Sequence, residues 1–309
     1  MLRVLGQNFL KKSIATKFSS RMSHFIKTDM KLNIALCQLD VCDDKRTNID
    51  NAVKNIREAA NKGANLVMLP ECFNSPYGTK HFPQYAEGLE DSETLSAISS
   101  VASEKNIYIV AGSIPTIENG KYYNTSCAYN TKGERIAVLR KVHLFDINVP
   151  GKIVFQESEI LTAGDQFATF ELEHDDKTIK VGMGICFDIR FAEMAQIYQK
   201  QNCSLLVYPG AFNMTTGPAH WELLARARAV DNQLFVALCS PARNTSSGYV
   251  AYGHSLIVDP WGSKVVEADE NPTVVFGEAD FSKVSELRDQ IPSVKNKRSD
   301  LYTLINHNK

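Results

Sequence analysis

Three side chains suited to acyl chemistry follow apolar runs at widely separated points of the chain. Glu71 follows the run NLVMLP, Lys141 ends the run RIAVLRK, and Cys186 directly follows IKVGMGI. Ligands in α/β folds gather at the carboxyl ends of strands, so these three residues could converge on one crevice. A carboxylate, an ammonium and a thiol together would suffice for nucleophilic acyl chemistry without a metal.

Each of the three residues has a definite role in such chemistry. A free thiol has a pKa near ~8.5 and needs a base or a positive charge to react at pH 7. Glu71 can take the proton of Cys186 if burial raises its own pKa. Lys141 can stabilise the thiolate and the oxyanion of a tetrahedral intermediate, and the backbone N–H of Phe187 can add a second oxyanion donor.

Other interpretations of the same residues stay open. A cysteine at a strand end is often a small buried apolar residue, and a lysine or glutamate there is often a solvated terminus. A Cys–His hydrolase would use His143 instead of Lys141. A pseudoenzyme that only binds a partner is a third alternative, although the presence of all three reactive residues argues against it.

The order of elements predicts how these residues are positioned. Apolar runs and amphipathic stretches follow a β-α-β-α-β order twice, and strands of continuous Val/Ile/Leu character predict sheets covered on both faces. We expect one α/β domain of two stacked mixed sheets with helices outside. The predicted strands are 31–38, 65–69, 107–113, 122–130, 135–141, 179–185, 204–209, 234–239, 254–259 and 273–280, and the predicted helices are 47–63, 91–106, 190–201 and 218–230.

Composition narrows the class of protein. With 34 basic and 35 acidic residues among 309, the net charge of -1 gives no electrostatic argument for a nucleic-acid or membrane-surface partner. Seven scattered cysteines without a CxxC pair argue against a disulfide framework and a zinc site, and for a reducing compartment. We therefore expect a small-molecule or protein partner and no cofactor or metal, and no apolar run approaches the ~20 residues that span a membrane.

The ends of the chain differ from its middle. Residues 1–29 carry several lysines and arginines and no acidic residue before Asp29. This basic leader indicates either a mitochondrial presequence or a disordered extension, so we expect a cytoplasmic or mitochondrial protein. The catalytic domain is predicted over 31–285, and residues 286–309 are expected to pack on that domain or on a dimer partner.

Three long segments resemble the nitrilase superfamily of carbon–nitrogen hydrolases. They are LPECFNSPYG, RKVHLFDINVPGKIVFQES and GMGICFDIRFAEMA, in this order, and the resemblance runs from about Lys31 to Tyr302. Within the superfamily, YPGAFNMTTGPAHWELLARARAVDNQ, SPARN, GHSLIVDPWG and KRSDLY resemble ω-amidases. Amidases of deaminated glutathione share GPAHWE but are less similar beyond it.

The resemblance implies a four-layer αββα sandwich, usually assembled as a homodimer. It implies Glu71 as the general base, Lys141 as the cationic stabiliser and Cys186 as the nucleophile. It also adds Glu157, in FQES, as a second carboxylate that holds Lys141 and helps to move protons. No cofactor is implied.

The ω-amidase resemblance implies a substrate with a carboxylate at the end opposite its amide. 2-Oxoglutaramate would give 2-oxoglutarate and ammonia, and 2-oxosuccinamate would give oxaloacetate. Arg190, four residues after Cys186, is the candidate for a bidentate clamp on that carboxylate. The resemblance adds Phe212 as a packing wall, which could equally be core, and Thr216 as a hydroxyl partner. Phe187 stands where many relatives have Tyr.

The arginines of this region also have structural interpretations. Arg190 could instead pair with Glu193 or Asp188. Arg226 and Arg228 are expected to form ion pairs beneath the site and not to contact substrate. The alternative function is a related amidase that acts on deaminated glutathione or on an N-carbamoyl amino acid.

Overall fold

The computed structural model describes residues 30–307. The predicted leader at 1–29 and the last two residues of the predicted extension lie outside the described residues. The strands are β1 (Lys31–Gln38), β2 (Leu66–Met68), β3 (Tyr108–Val110), β4 (Ile114–Glu118), β5 (Lys121–Tyr129), β6 (Arg135–Arg140), β7 (Asp146–Val149), β8 (Ile153–Gln156), β9 (Ala168–His174), β10 (Lys177–Met183), β11 (Cys203–Pro209), β12 (Phe235–Cys239), β13 (Leu256–Val258), β14 (Lys264–Glu267) and β15 (Thr273–Asp280). The helices are α1 (Lys45–Asn61), α2 (Phe82–Tyr85), α3 (Glu93–Lys105), α4 (Ala192–Lys200), α5 (Gly217–Asn232) and α6 (Ser282–Gln290).

The strands form two large mixed sheets and a separate hairpin of β7 and β8. The first sheet has the order β15-β1-β2-β3-β5-β4, with β6 also paired to β5, and the second has the order β14-β13-β12-β11-β10-β9. The parallel strands β1, β2 and β3 alternate with α1 and α3, and the parallel strands β10, β11 and β12 alternate with α4 and α5. The predicted doubling of the β-α-β-α-β order is confirmed.

The helices of the first half begin at side chains that cap their free N–H groups. Asp44 accepts a hydrogen bond from the backbone N–H of Thr47 at 2.6 Å and so starts α1. Ser92 accepts one from Leu95 at 2.9 Å and so starts α3. Such N-caps are worth about 1 kcal/mol each, and α3 then ends at Asn106 in the left-handed conformation.

Alternate side chains of β1 face different layers of the molecule. Ile34 and Leu36 pack in one apolar cluster with second-sheet residues such as Val181. Ala35 and Cys37 pack on the other face, in a cluster with residues of α1 and α3. Because α4 and α5 cover β11 and β12, the layers run helix, sheet, sheet, helix. The αββα sandwich is confirmed, and each fully buried aliphatic side chain adds roughly 1.5–3 kcal/mol.

Several elements were not predicted. Residues 142–166 contain β7, β8 and a short 3-10 helix, although their sequence indicated an irregular segment. The edge strands β4, β9 and β14 and the helix α6 were also missed, and α6 spans the boundary predicted between residues 285 and 286. None of the helices within residues 30–307 combines the length and apolar character that crossing a bilayer requires.

Candidate active site

Glu71 lies in the seam between the two sheets. It follows Pro70 at the end of β2, where Gly112 packs so closely that a Cβ there would lie 2.1 Å from the carbonyl oxygen of Pro70. The Glu71 side chain is fully buried. Its Oε1 accepts a hydrogen bond from Nδ2 of Asn124 at 2.8 Å, and its Oε2 accepts one from the backbone N–H of Ala211 at 2.8 Å. Ala211 follows β11, so this second bond joins the two sheets.

Lys141 follows β6 directly and joins two carboxylates. Its Nζ lies 3.0 Å from Oε1 of Glu71 and 3.0 Å from Oε1 of Glu157, and all three side chains are fully buried. A buried charge is costly unless it is paired and hydrogen-bonded. The cluster meets that requirement with one cation held between two acids.

Glu157 is held from two further directions. It begins the 3-10 helix Glu157–Glu159 after β8. Its Oε2 accepts the backbone N–H of Phe145 at 2.7 Å, and its Oε1 accepts the hydroxyl of Tyr77 at 2.6 Å. The β7–β8 hairpin is thereby attached to the charged cluster. The predicted proximity of Glu157 to Lys141 is present.

Cys186 sits on a strained turn and not at the end of a strand. β10 ends at Met183, and Cys186 starts a 3-10 helix, Cys186–Arg190, before α4 begins. Its φ of 47° lies in the left-handed region, which costs a non-glycine residue roughly 1–2 kcal/mol. At Gly184 a Cβ would lie 2.3 Å from the ring of Tyr208, so only glycine fits before the turn. Such turns expose a nucleophile.

Asp188 and Arg228 hold this turn in place. Oδ2 of Asp188 accepts the backbone N–H of Ile185 at 2.9 Å. Arg228, from α5, donates its Nε to the carbonyl oxygen of Ile189 at 2.8 Å and its Nη2 to that of Arg190 at 2.9 Å. Arg228 also lies 3.8 Å from Asp231. Its main contacts are therefore with backbone carbonyls, in addition to the predicted ion pair.

The charges of the cluster shift one another's pKa. Burial raises the pKa of Glu71, against the opposing effect of Lys141. Burial opposes the charged form of Lys141, but Glu157 and Glu71 outweigh it and raise the pKa of Lys141 well above its usual value. Burial, followed by the charge of Glu71, raises the pKa of Cys186 well above its usual value. The raised pKa keeps the resting thiol protonated.

His143 is engaged elsewhere. Its Nδ1 lies 2.8 Å from Oδ1 of Asp188, which also accepts the backbone N–H of His143 at 2.9 Å, and its ring stacks on Phe191 at 3.6 Å. Asp188 thus connects the segment after Lys141 with the turn of Cys186. This placement supports Glu71 over His143 as the base.

A small cavity lies at Cys186 and brings together the predicted substrate residues. It is lined by Phe145, Cys186, Phe187, Arg190, Ala211, Phe212, Thr216 and Tyr249. Four of these residues, Phe187, Arg190, Phe212 and Thr216, were predicted from the sequence. The predicted nucleophile and the candidate carboxylate clamp therefore share one cavity.

The arginine end of this cavity is aromatic. The guanidinium carbon of Arg190 lies 4.9 Å from the ring centroid of Phe212 and 5.6 Å from that of Phe187, and its Nη1 lies 3.2 Å from Nδ1 of His220. Burial lowers the pKa of Arg190.

The Thr216 hydroxyl donates to Oδ1 of Asn213 at 3.3 Å. Arg226, by contrast, pairs with Glu222 on the outer side of α5.

Sequence reasoning did not identify several residues of the site. Asn124 and Ala211 bind the carboxylate of Glu71, Tyr77 binds Glu157, and Tyr249 donates its hydroxyl to the carbonyl oxygen of Ala211 at 2.5 Å. The sequence offered one signal, since Tyr77 lies within the segment LPECFNSPYG that carries the resemblance. Within residues 30–307 there is no group of three or more His, Cys, Asp or Glu side chains that could hold a metal ion.

Comparison with known proteins identifies the family. The model of the carbon–nitrogen hydrolase family matches residues 33–289. The chain is 54% identical over 271 residues to omega-amidase NIT2 of Mus musculus, covering 88% of this chain and 96% of that protein, and 53% identical over 271 residues to omega-amidase NIT2 of Homo sapiens, with the same coverage.

A solved structure agrees with this result. The crystal structure of Saccharomyces cerevisiae Nit3, a member of branch 10 of the nitrilase superfamily, matches with a TM-score of 0.79 at 42% identity, covering 87% of this chain and 97% of that chain. Sequence, fold and the arrangement around Cys186 all agree, and the chain belongs to the carbon–nitrogen hydrolase family, within the nitrilase superfamily.

Proposed function

We propose that this enzyme is an ω-amidase that hydrolyses 2-oxoglutaramate to 2-oxoglutarate and ammonia, and 2-oxosuccinamate to oxaloacetate, through a thioester on Cys186. The identity of 53–54% to the omega-amidases named above supports the activity. The single structural observation that supports the mechanism is the buried ammonium of Lys141, 3.0 Å from the carboxylate of Glu71 beside the Cys186 thiol.

The first half of the reaction forms the thioester. Glu71 takes the proton of Cys186, and the thiolate attacks the amide carbon. Nζ of Lys141 and the backbone N–H of Phe187 stabilise the oxyanion. The C–N bond then breaks, and the proton held by Glu71 goes to the leaving nitrogen, which departs as ammonia.

The second half hydrolyses the thioester. Glu71, again ionised, takes a proton from water, and the hydroxide attacks the thioester carbon. The C–S bond breaks, the sulfur recovers the proton from Glu71, and the dicarboxylate product leaves. Glu157 keeps the charge of Lys141 in place through both halves, since its Oε1 lies 3.0 Å from Nζ.

The substrate end of the cavity selects the amide. Arg190 supplies the cation for the carboxylate of the substrate, with Phe212 as the wall and the hydroxyl of Thr216 as a polar partner. These residues line the same cavity as Cys186, which supports this assignment. Deaminated glutathione and N-carbamoyl amino acids are longer or differently charged amides, so they place their charged groups differently with respect to Arg190.

Ammonia release measured side by side tests the proposal. We expect kcat/KM for 2-oxoglutaramate to exceed that for a deaminated glutathione amide and for an N-carbamoyl amino acid. A higher kcat/KM for either competitor would reassign the enzyme to the related amidases.

Assembly and location are proposed separately. Leu223 and Val230 on α5 and the nearby Trp261 are 50–62% exposed, and we propose that they contribute to a homodimer interface. Analytical ultracentrifugation of the wild type and of Val230→Lys tests this proposal, and a monomeric wild type would contradict it.

We also propose that 1–29 is a cleaved presequence or an extension of a cytoplasmic form, that 31–285 is the catalytic domain and that 286–309 packs on it or on the partner. The mature amino-terminal sequence tests the first of these proposals.

A further inference from the structure

A second cavity reaches Glu71 from outside the cavity at Cys186. It is lined by Glu71 itself and by small side chains that include Ser75, Ala242 and Ala251. Its outer end shares Pro76 and Ser247 with a larger groove on the surface. A narrow passage therefore runs inward from the surface and ends at Glu71, whose side chain is fully buried.

The backbone of Ala211 lies between this passage and the cavity at Cys186. Ala211 and Tyr249 line both cavities. The N–H of Ala211 is bound to Oε2 of Glu71 at 2.8 Å, and its carbonyl oxygen is bound to the hydroxyl of Tyr249 at 2.5 Å. Glu71 lines the passage and is bound to Ala211, which also lines the cavity at Cys186, whereas Arg190 and Phe212 line the cavity at Cys186 and not the passage.

The size and chemistry of the passage suit water. It leaves about 30 Å³ for the centres of water-sized molecules, and one water needs roughly 10–15 Å³ of such space. Ser75 is 1% exposed, and within the part of the chain that the structure describes its hydroxyl has no hydrogen-bond partner. A buried hydroxyl without a partner is costly, and its presence makes the wall of the passage polar beside Glu71.

From this arrangement we infer that the passage between the surface groove and Glu71 admits the water that hydrolyses the thioester. The inference rests on the proposed function. During deacylation the acyl group occupies the cavity between Cys186 and Arg190, so water must reach Glu71 from another side. Glu71 takes one proton from that water, the C–O bond forms as the C–S bond breaks, and the proton passes to the sulfur.

Narrowing the passage tests the inference. Ala242→Val and Ala242→Leu place larger groups in its wall, and Ala242→Gly is the matched control at the same position. Ser247→Trp narrows the mouth at a partly exposed residue and serves if the buried Leu variant does not fold. The measurements are kcat and KM for 2-oxoglutaramate, and the fraction of Cys186 trapped as thioester by acid quench and intact-protein mass spectrometry.

We expect Ala242→Leu and Ser247→Trp to slow only the second half of the reaction. Both kcat and KM should fall together by about ten-fold, with kcat/KM changed less than about two-fold, and the thioester should accumulate. A rise in KM without accumulation would mean that the substrate itself uses the passage, which would overturn the inference. Unchanged kinetics in every folded variant would overturn it as well.

The wild type distinguishes failure of the inference from failure of the proposed function. If wild-type enzyme never carries a thioester on Cys186 when it turns over 2-oxoglutaramate, the proposed function fails. If the wild type carries the thioester and the narrowed variants behave like it, only the water passage fails.

Discussion

The charged cluster and the Arg190 region of the candidate active site are built differently. At one end Lys141 is fully enclosed, with two carboxylate oxygens at 3.0 Å that are themselves bound by Asn124 and Tyr77. At the other end Arg190 is only partly buried, between aromatic faces and an imidazole nitrogen at 3.2 Å. The protein fixes the reacting groups in advance, whereas Arg190 keeps the capacity to bind an added carboxylate. Changes at the first end should therefore alter kcat, and changes at the second should alter KM.

The largest effect is expected at the nucleophile. Cys186→Ala should lower kcat on the order of 10⁴-fold or more, because no other group can form the thioester. Cys203→Ala, a buried cysteine of β11, is the control and should keep near-normal kcat. Ammonia release is the measurement, and substantial turnover by Cys186→Ala would refute the covalent route.

The second-largest effect on kcat is expected at Lys141. Lys141→Met should lower kcat by roughly 100- to 1000-fold, the range expected for loss of an oxyanion donor, with little change in KM. Steady-state kinetics with 2-oxoglutaramate give both constants. A mild Lys141→Met variant together with an inactive His143→Asn variant would favour the Cys–His alternative.

Arg190→Ala should change KM, whereas Lys141→Met should change kcat. Loss of a charge-assisted clamp of about 1.5–3 kcal/mol should raise KM for 2-oxoglutaramate by roughly 10- to 100-fold. Amides without a carboxylate should be spared, and Arg226→Ala, on the outer side of α5, is the matched control. Equal losses on both classes of amide would remove the clamp assignment.

Acid pH should inactivate the enzyme through Glu71. Burial raises the pKa of Glu71 above its usual 4.5, and only the ionised carboxylate can accept the thiol proton. Thus kcat/KM should fall as pH decreases, with a midpoint above 4.5 and about ten-fold loss per pH unit below it. The midpoint for Arg190→Ala should be the same as for the wild type, since Arg190 lies at the other end. A midpoint at or below 4.5 would contradict Glu71 as the base.

The smallest effect is expected at the edge of the charged cluster. Tyr77→Phe removes the hydroxyl that Glu157 accepts at 2.6 Å, which should cost about 3- to 10-fold in kcat. KM should stay constant if Tyr77 serves only the reacting end. A change confined to KM would show that the cluster also shapes substrate binding.

Much of this architecture is predictable from the sequence because the parallel strands are continuously apolar. β1, β2, β10 and β11 were located within about two residues, and Glu71 and Cys186 follow the ends of β2 and β10 by three residues each. The hairpin of β7 and β8 escaped prediction because its strands are short, and one face of each is exposed to solvent. The edge strand β15 was predicted from its apolar run, whereas the edge strands β4, β9 and β14 carry too little apolar pattern to be told from loops.

The hydrogen bonds of the site, by contrast, could not be predicted from the sequence. Asn124 is 53 residues from Glu71 along the chain, and Ala211 is 140 residues from it. Nothing in a single sequence states which amide or backbone N–H will meet a carboxylate after the sheets pack. Asp188 illustrates the limit, since the sequence offered it as a partner of Arg190, whereas it binds His143 and Ile185.

The hydrogen bond from Ala211 to Glu71 has a consequence for how the enzyme loses activity. The proposed base and cation belong to one sheet and the proposed nucleophile to the other, so a working site exists only while the layers are stacked in register. Pressure or mild denaturant that shifts one layer by an ångström relative to the other would abolish turnover. Circular dichroism would still report intact strands and helices. Catalytic activity therefore reports how well the two layers are aligned.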